Sequence, residues 1–182
     1  MIQHLLVVLN RNSTFKNMHP VLKYFTGEKA ESYVFLIVGV IALAVALYFI
    51  FILKILFWKG VSIPFIIVAI LEIIVGYTIV TRTQKDIQRV EFYINSAPQN
   101  IEKLEIPRMK IVMSNFKIFR TIEIVFILLG IALMYSSMND TFLRGIGLGL
   151  FIQSCIVLSL DFFAEKRGYI YMEYLKDLSE KI

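Results

Sequence analysis

Four stretches of the chain are nearly unbroken runs of apolar side chains: Val34–Leu53, Val61–Val80, Ile122–Met138 and Phe142–Phe163. About 20 such residues, rising 1.5 Å each, cross the roughly 30 Å hydrocarbon core of a bilayer as a helix. A soluble helix would interrupt its apolar positions with polar ones every three or four residues. The pattern therefore predicts an all-α, polytopic membrane protein with four transmembrane helices. Short loops at 54–60 and around 139–141 pair the helices as two hairpins.

Outside the runs the apolar residues become periodic. Ile87, Val90 and Ile94 recur at helical spacing until Ser96-Ala97-Pro98, and Met109, Val112, Met113 and Phe116 do the same after Pro107. This spacing predicts that the second and third spans continue as helices over 82–95 and 108–120, packed on one another or on the tail. The tail, 165–182, reads as an amphipathic helix with Tyr171, Tyr174, Leu175, Leu178 and Ile182 on one face. Ahead of the first span, Ile2, Leu5, Leu6 and Leu9 fit a short amphipathic turn, Arg11–Thr14 reads as a loop, and Pro20 restarts the chain. Val21–Ser32 then reads as a basic segment lying on the membrane surface. The expected organisation is an N-terminal interfacial segment (1–32), a four-helix transmembrane domain (33–164) with its loop at 81–120, and the tail.

Charge orients these elements. The 182 residues carry a net charge of +5, with a sequence pI near 9.3 and a mean hydropathy of +0.71. Of 19 Lys and Arg residues, 16 fall in the two tails and the central segment, and only Lys54, Lys59 and Arg144 fall in the hairpin loops. The positive-inside rule then puts both termini and 81–120 in the cytoplasm, with the cell (inner) membrane as the expected location. The basic residues flank spans instead of forming one stripe, so nucleic acid is not an expected partner. Leu5–Leu9 is too short for a signal-peptide core, and Met18 is a second candidate start. Cys155, the only cysteine, lies in the fourth run and behaves as a small apolar residue.

Candidate chemistry is sparse. Glu72 stands alone among the uncharged residues Val61 to Val80. Gln153 lies at a similar depth in the fourth span, counting from Gly60 and Gly145, and is its expected partner. Glu123 and Asp161 share the level of the inner boundary, where Arg120 reaches them by snorkelling, so these three form an expected polar cluster. Gly145 and Gly149 make a small-residue pair suited to close helix packing, as do Ala42 and Ala46. Phe57-Trp58-Lys59-Gly60-Val61 matches Phe142-Leu143-Arg144-Gly145-Ile146, and Val34–Gly39 matches Val125–Gly130. Together these suggest two parallel repeats. His4 and His19 lack metal-ligand spacing, and no catalytic set or cofactor motif is present. The expected function is non-enzymatic: protein–protein interaction or homo-oligomeric assembly at the cytoplasmic face. The rival expectation is a small oligomeric channel, or a proton- or cation-coupled transporter, working through Glu72.

Overall fold

Each apolar run lies within one long helix of the computed structural model, which describes the backbone of residues 2–136 and 140–181 and the side chains of 18–135 and 140–181. Helix α1 spans Ile2–Tyr48 and gains one π-helical turn, Phe49–Leu53. Helix α2 covers Leu56–Ser96. A second π-helical turn, Ile101–Glu105, leads into α3, Ile106–Ser136, and α4 covers Thr141–Ser179. The end of the third run, at Met138, lies outside the described residues, as do the side chains of the first amphipathic turn.

All four helices are long and apolar enough to cross a membrane. At 41 residues, α2 measures about 60 Å, twice the thickness of a hydrocarbon core. Each helix thus carries its apolar half straight on into a polar half.

Local chemistry sets the ends. Lys54 closes the first π-turn in the left-handed region (φ 56°), its N–H donating to the Phe49 carbonyl at 3.2 Å. Asp140 caps α4, its Oδ1 accepting from the Phe142 and Leu143 N–H groups at 2.9 and 3.1 Å. Helix α2 stops at Ser96, just before Pro98.

The close approaches are α1 with α2, α2 with α4, and α3 with α4, while α1 also touches α4. Helices α2 and α4 are therefore the central pair. They meet through Gly60 and Gly145 in a reciprocal contact. A Cβ on Gly60 would stand 2.2 Å from the Phe142 carbonyl oxygen, and one on Gly145 would stand 2.0 Å from the Phe57 oxygen. Only hydrogen fits at either position. Beside this contact Ser62 Oγ donates to the Ala46 carbonyl at 3.1 Å, with Ala46 fully buried, which ties α1 to α2.

The polar halves form a second packed unit. Val90 of α2, Met109 and Met113 of α3, and Tyr171, Met172, Leu175 and Leu178 of α4 are buried in one core. Ile87, Ile94, Val112 and Phe116 pack around it. The stripes seen in the sequence face each other here.

The N-terminal segment corrects the sequence reading at both of its expected breaks. No break occurs at Arg11–Thr14 or at Pro20, because α1 is continuous through both. Pro20 lacks an N–H and forfeits one intrahelical bond, but Met18, Val21, Tyr24 and Phe25 are anchored in the core on either side of it. One face of Val21–Ser32 packs into the bundle, while Leu22, Lys23, Thr26 and Ala30 are exposed on the other. Val21 and Phe25 are fully buried, and Tyr24 stacks on Tyr171 with ring centroids 4.2 Å apart.

Candidate functional site

The buried polar pair sits between the central helices. Gln153 Nε2 donates to Glu72 Oε2 at 3.3 Å, with Glu72 3% and Gln153 1% exposed. Glu72 Oε1 has no hydrogen-bond partner among the described residues. Helix α1 closes the third side, since a Cβ on Gly39 would lie 3.2 Å from Glu72 Cβ. This carboxyl is held in a tight three-helix junction.

Where the third and fourth apolar runs meet their polar halves, the residues divide differently from the expectation. Glu123 and Asp161 adjoin across α3 and α4, and Glu123 is buried with its Oε2 lacking a hydrogen-bond partner among the described residues. Arg120 does not join them. Its Nη1 donates instead to Glu165 Oε2 at 2.7 Å, one turn further along α4. Gly145 and Gly149 both face α2, Gly149 against Pro64 and the Val61 carbonyl. Ala42 is likewise buried, on the same helix as Ala46.

A larger polar network lies in the outer bundle, and the sequence reading missed it. Glu105, 1% exposed, accepts two bonds from Arg108 at 2.6 and 3.1 Å and one from the Tyr171 hydroxyl at 3.2 Å. Arg89 bridges Glu105 to Asp86, Arg82 bridges Asp86 to Glu28, and Arg167 holds Glu31. All four helices or their lead-in turns contribute. Burial pushes the Glu28 carboxyl above its ordinary range, and Arg82 only partly opposes the shift. Burial likewise raises the Tyr171 hydroxyl, reinforced by the Glu105 charge, and lifts Tyr174 to about 12. The spacings Arg82-Asp86-Arg89 and Glu105-Arg108 were the available signal, because they put opposite charges on one helix face.

Two adjoining clefts open between α3 and α4, of about 840 and 530 Å³. Glu72 lines neither of them. Among the described residues, no three His, Cys, Asp or Glu side chains converge as a metal site. The chain matches no protein-family model, no curated protein and no solved structure.

Proposed function

We propose that this chain is a non-enzymatic, multi-pass integral membrane protein that acts through assembly, with itself or with a partner, along the cytoplasmic bundle. The bundle end carries 16 of the 19 Lys and Arg residues, which supports placing it in the cytoplasm of a cell (inner) membrane protein.

One observation carries the assembly reading. The apolar face of the tail is consumed by the protein's own core, with Leu175 fully buried and Leu178 8% exposed. A different surface is left over. Leu104, Ile111 and Ile118 recur every seven residues along the lead-in turn and α3, and they are 52%, 64% and 53% exposed. The line continues through Ile122, Val125 and Leu129 into the span. Lipid covers such residues within a bilayer, but Leu104 and Ile111 lie outside it, where exposed apolar ridges mark contact surfaces. A helix from a second copy or a partner, laid along α3, would cover the whole line.

The reading also includes a duplication: α1–α2 and α3–α4 are two parallel-repeat hairpins about an axis along the membrane normal. Gly60 and Gly145, matched in the sequence repeat, touch each other's helix through the matched residues Phe57 and Phe142. That reciprocity supports a two-fold relation. The earlier match of Val34–Gly39 with Val125–Gly130 does not share its register. Gly130 meets Gly147 at the level where Ala46 meets Ser62, so Gly130 corresponds to Ala46 and not to Gly39.

The second reading, conduction of protons or cations, is favoured by the open Oε1 of Glu72. Crosslinking in native membranes separates the two. Assembly predicts a crosslinked species that disappears in Leu104→Glu/Ile111→Glu and persists in Glu72→Gln. An unchanged crosslinking pattern in the double variant, with proton flux into vesicles abolished by Glu72→Gln, would reverse the order of the two readings.

A further inference from the structure

The two clefts between α3 and α4 meet at Arg120, Phe162 and Glu165, which line both. Their walls differ in kind. The larger one is edged by Lys110, Lys117, Lys166 and Lys176. The smaller runs toward the spans between Phe116, Ile124, Leu158 and Phe163. We propose that this continuous groove binds an anionic phospholipid of the cytoplasmic leaflet, with the phosphate between Lys117 and Lys166 and an acyl chain along Phe162 and Ile124.

Depth supports the placement. Lys117 lies roughly 7 Å below Ile122 and Lys166 roughly 5 Å below Phe163, while the headgroup zone is roughly 5–7 Å thick on each side of the hydrocarbon core. Both lysines therefore leave the backbone within the depth of the headgroup zone. Lys110 and Lys176 lie deeper in the cytoplasm and add attraction at a distance.

Charge supports the choice of occupant. Arg120 and Glu165 neutralise each other at 2.7 Å. None of the four lysines makes an ion pair among the described residues, and the other acids on the walls are Glu173 in the larger cleft and Asp161 in the smaller. The groove is therefore net positive at its headgroup end. Its other end is mainly apolar, with Ser159 and Asp161 among its lining residues and Phe162 and Phe163 each 62% exposed. A soluble phosphate leaves that half of the groove unfilled, whereas a lipid fills both. The α3 ridge proposed for assembly turns a different side to its surroundings.

The inference rests on the membrane reading but not on assembly, and native mass spectrometry of the purified full chain tests it. The protein, in detergent, is offered equal amounts of phosphatidylglycerol and phosphatidylcholine with identical chains. Wild type should retain phosphatidylglycerol with about tenfold preference. Lys117→Gln/Lys166→Gln should bring the ratio near one, and Lys85→Gln/Lys103→Gln, exposed lysines elsewhere on the bundle, should leave it unchanged. Absence of preference in wild type overturns the proposal on its own, whether or not the variant folds. Preference surviving in the Lys117/Lys166 variant would overturn it in favour of diffuse attraction. Displacement of the lipid by equimolar glycerol 3-phosphate would overturn it in favour of a soluble phosphate.

Discussion

A methyl group at Gly60 or Gly145 would have to push a helix backbone aside, because the obstructing atoms are carbonyl oxygens at 2.2 and 2.0 Å and not side-chain tips. Overpacking of this kind costs about 1–3 kcal/mol. Gly60→Ala and Gly145→Ala should each lower the thermal midpoint in detergent by similar amounts, and the double variant should fall short of their sum because both relieve one contact. Glu72→Gln should keep the bond with Gln153, whereas Glu72→Leu should lose about 1 kcal/mol in the same melt. Glu28 gives the pH dependence. Burial raises its carboxyl above the ordinary 4.5, so folding takes up a proton there. The contribution is complete below that value and is lost as pH rises through the raised one. Glu28→Gln should therefore gain on wild type at pH 8 relative to pH 4, as read by paired melts. The pairing of Glu72 with Gln153 was legible because lone polar residues in apolar runs stand out and their depth can be counted from matched glycines. The partner of Arg120 was not. Sequence supplies depth along a helix but not the rotation that brings Glu165, rather than Asp161, to face the guanidinium.

At the level of the helices, the decisive property is that each of the four continues well beyond its apolar run at one end. Truncating Leu175, fully buried in the bundle core, should cost about 2–5 kcal/mol. Hydrogen exchange in Leu175→Ala should rise across 165–178 and 82–95 together, while the apolar halves stay protected. Protection lost over 165–178 alone would mean that the tail packs independently of α2. Most of this architecture could be read from the chain. Runs of 17 to 22 apolar residues and stripes at three- and four-residue spacing have few other solutions. The failure came at α1, where Pro20 and the polar stretch before it imitate a helix break. Local propensity is a weak prior there, and the packing of Met18, Val21 and Phe25 against α3 and α4 overrode it.

For the whole molecule, topology is the testable property. With Cys155 replaced by Ser, a cysteine at Ala97 should react with an impermeant maleimide only after the cells are opened, and one at Lys59 should react in intact cells. Labelling of position 97 from outside would refute the cytoplasmic bundle and the lipid leaflet assigned to it. Connectivity carries a consequence in time. Tyr24 stacks on Tyr171, so a residue of the first helix waits for a partner synthesised about 150 residues later. At about 5–20 residues per second, that interval is roughly 7 to 30 seconds. Until α4 is made, Val21 and Phe25 lack the part of their core that Tyr171, Met172, Leu175 and Leu178 supply. Slowed synthesis of α4 should prolong that exposure and send the protein to degradation sooner than any slowing within α1.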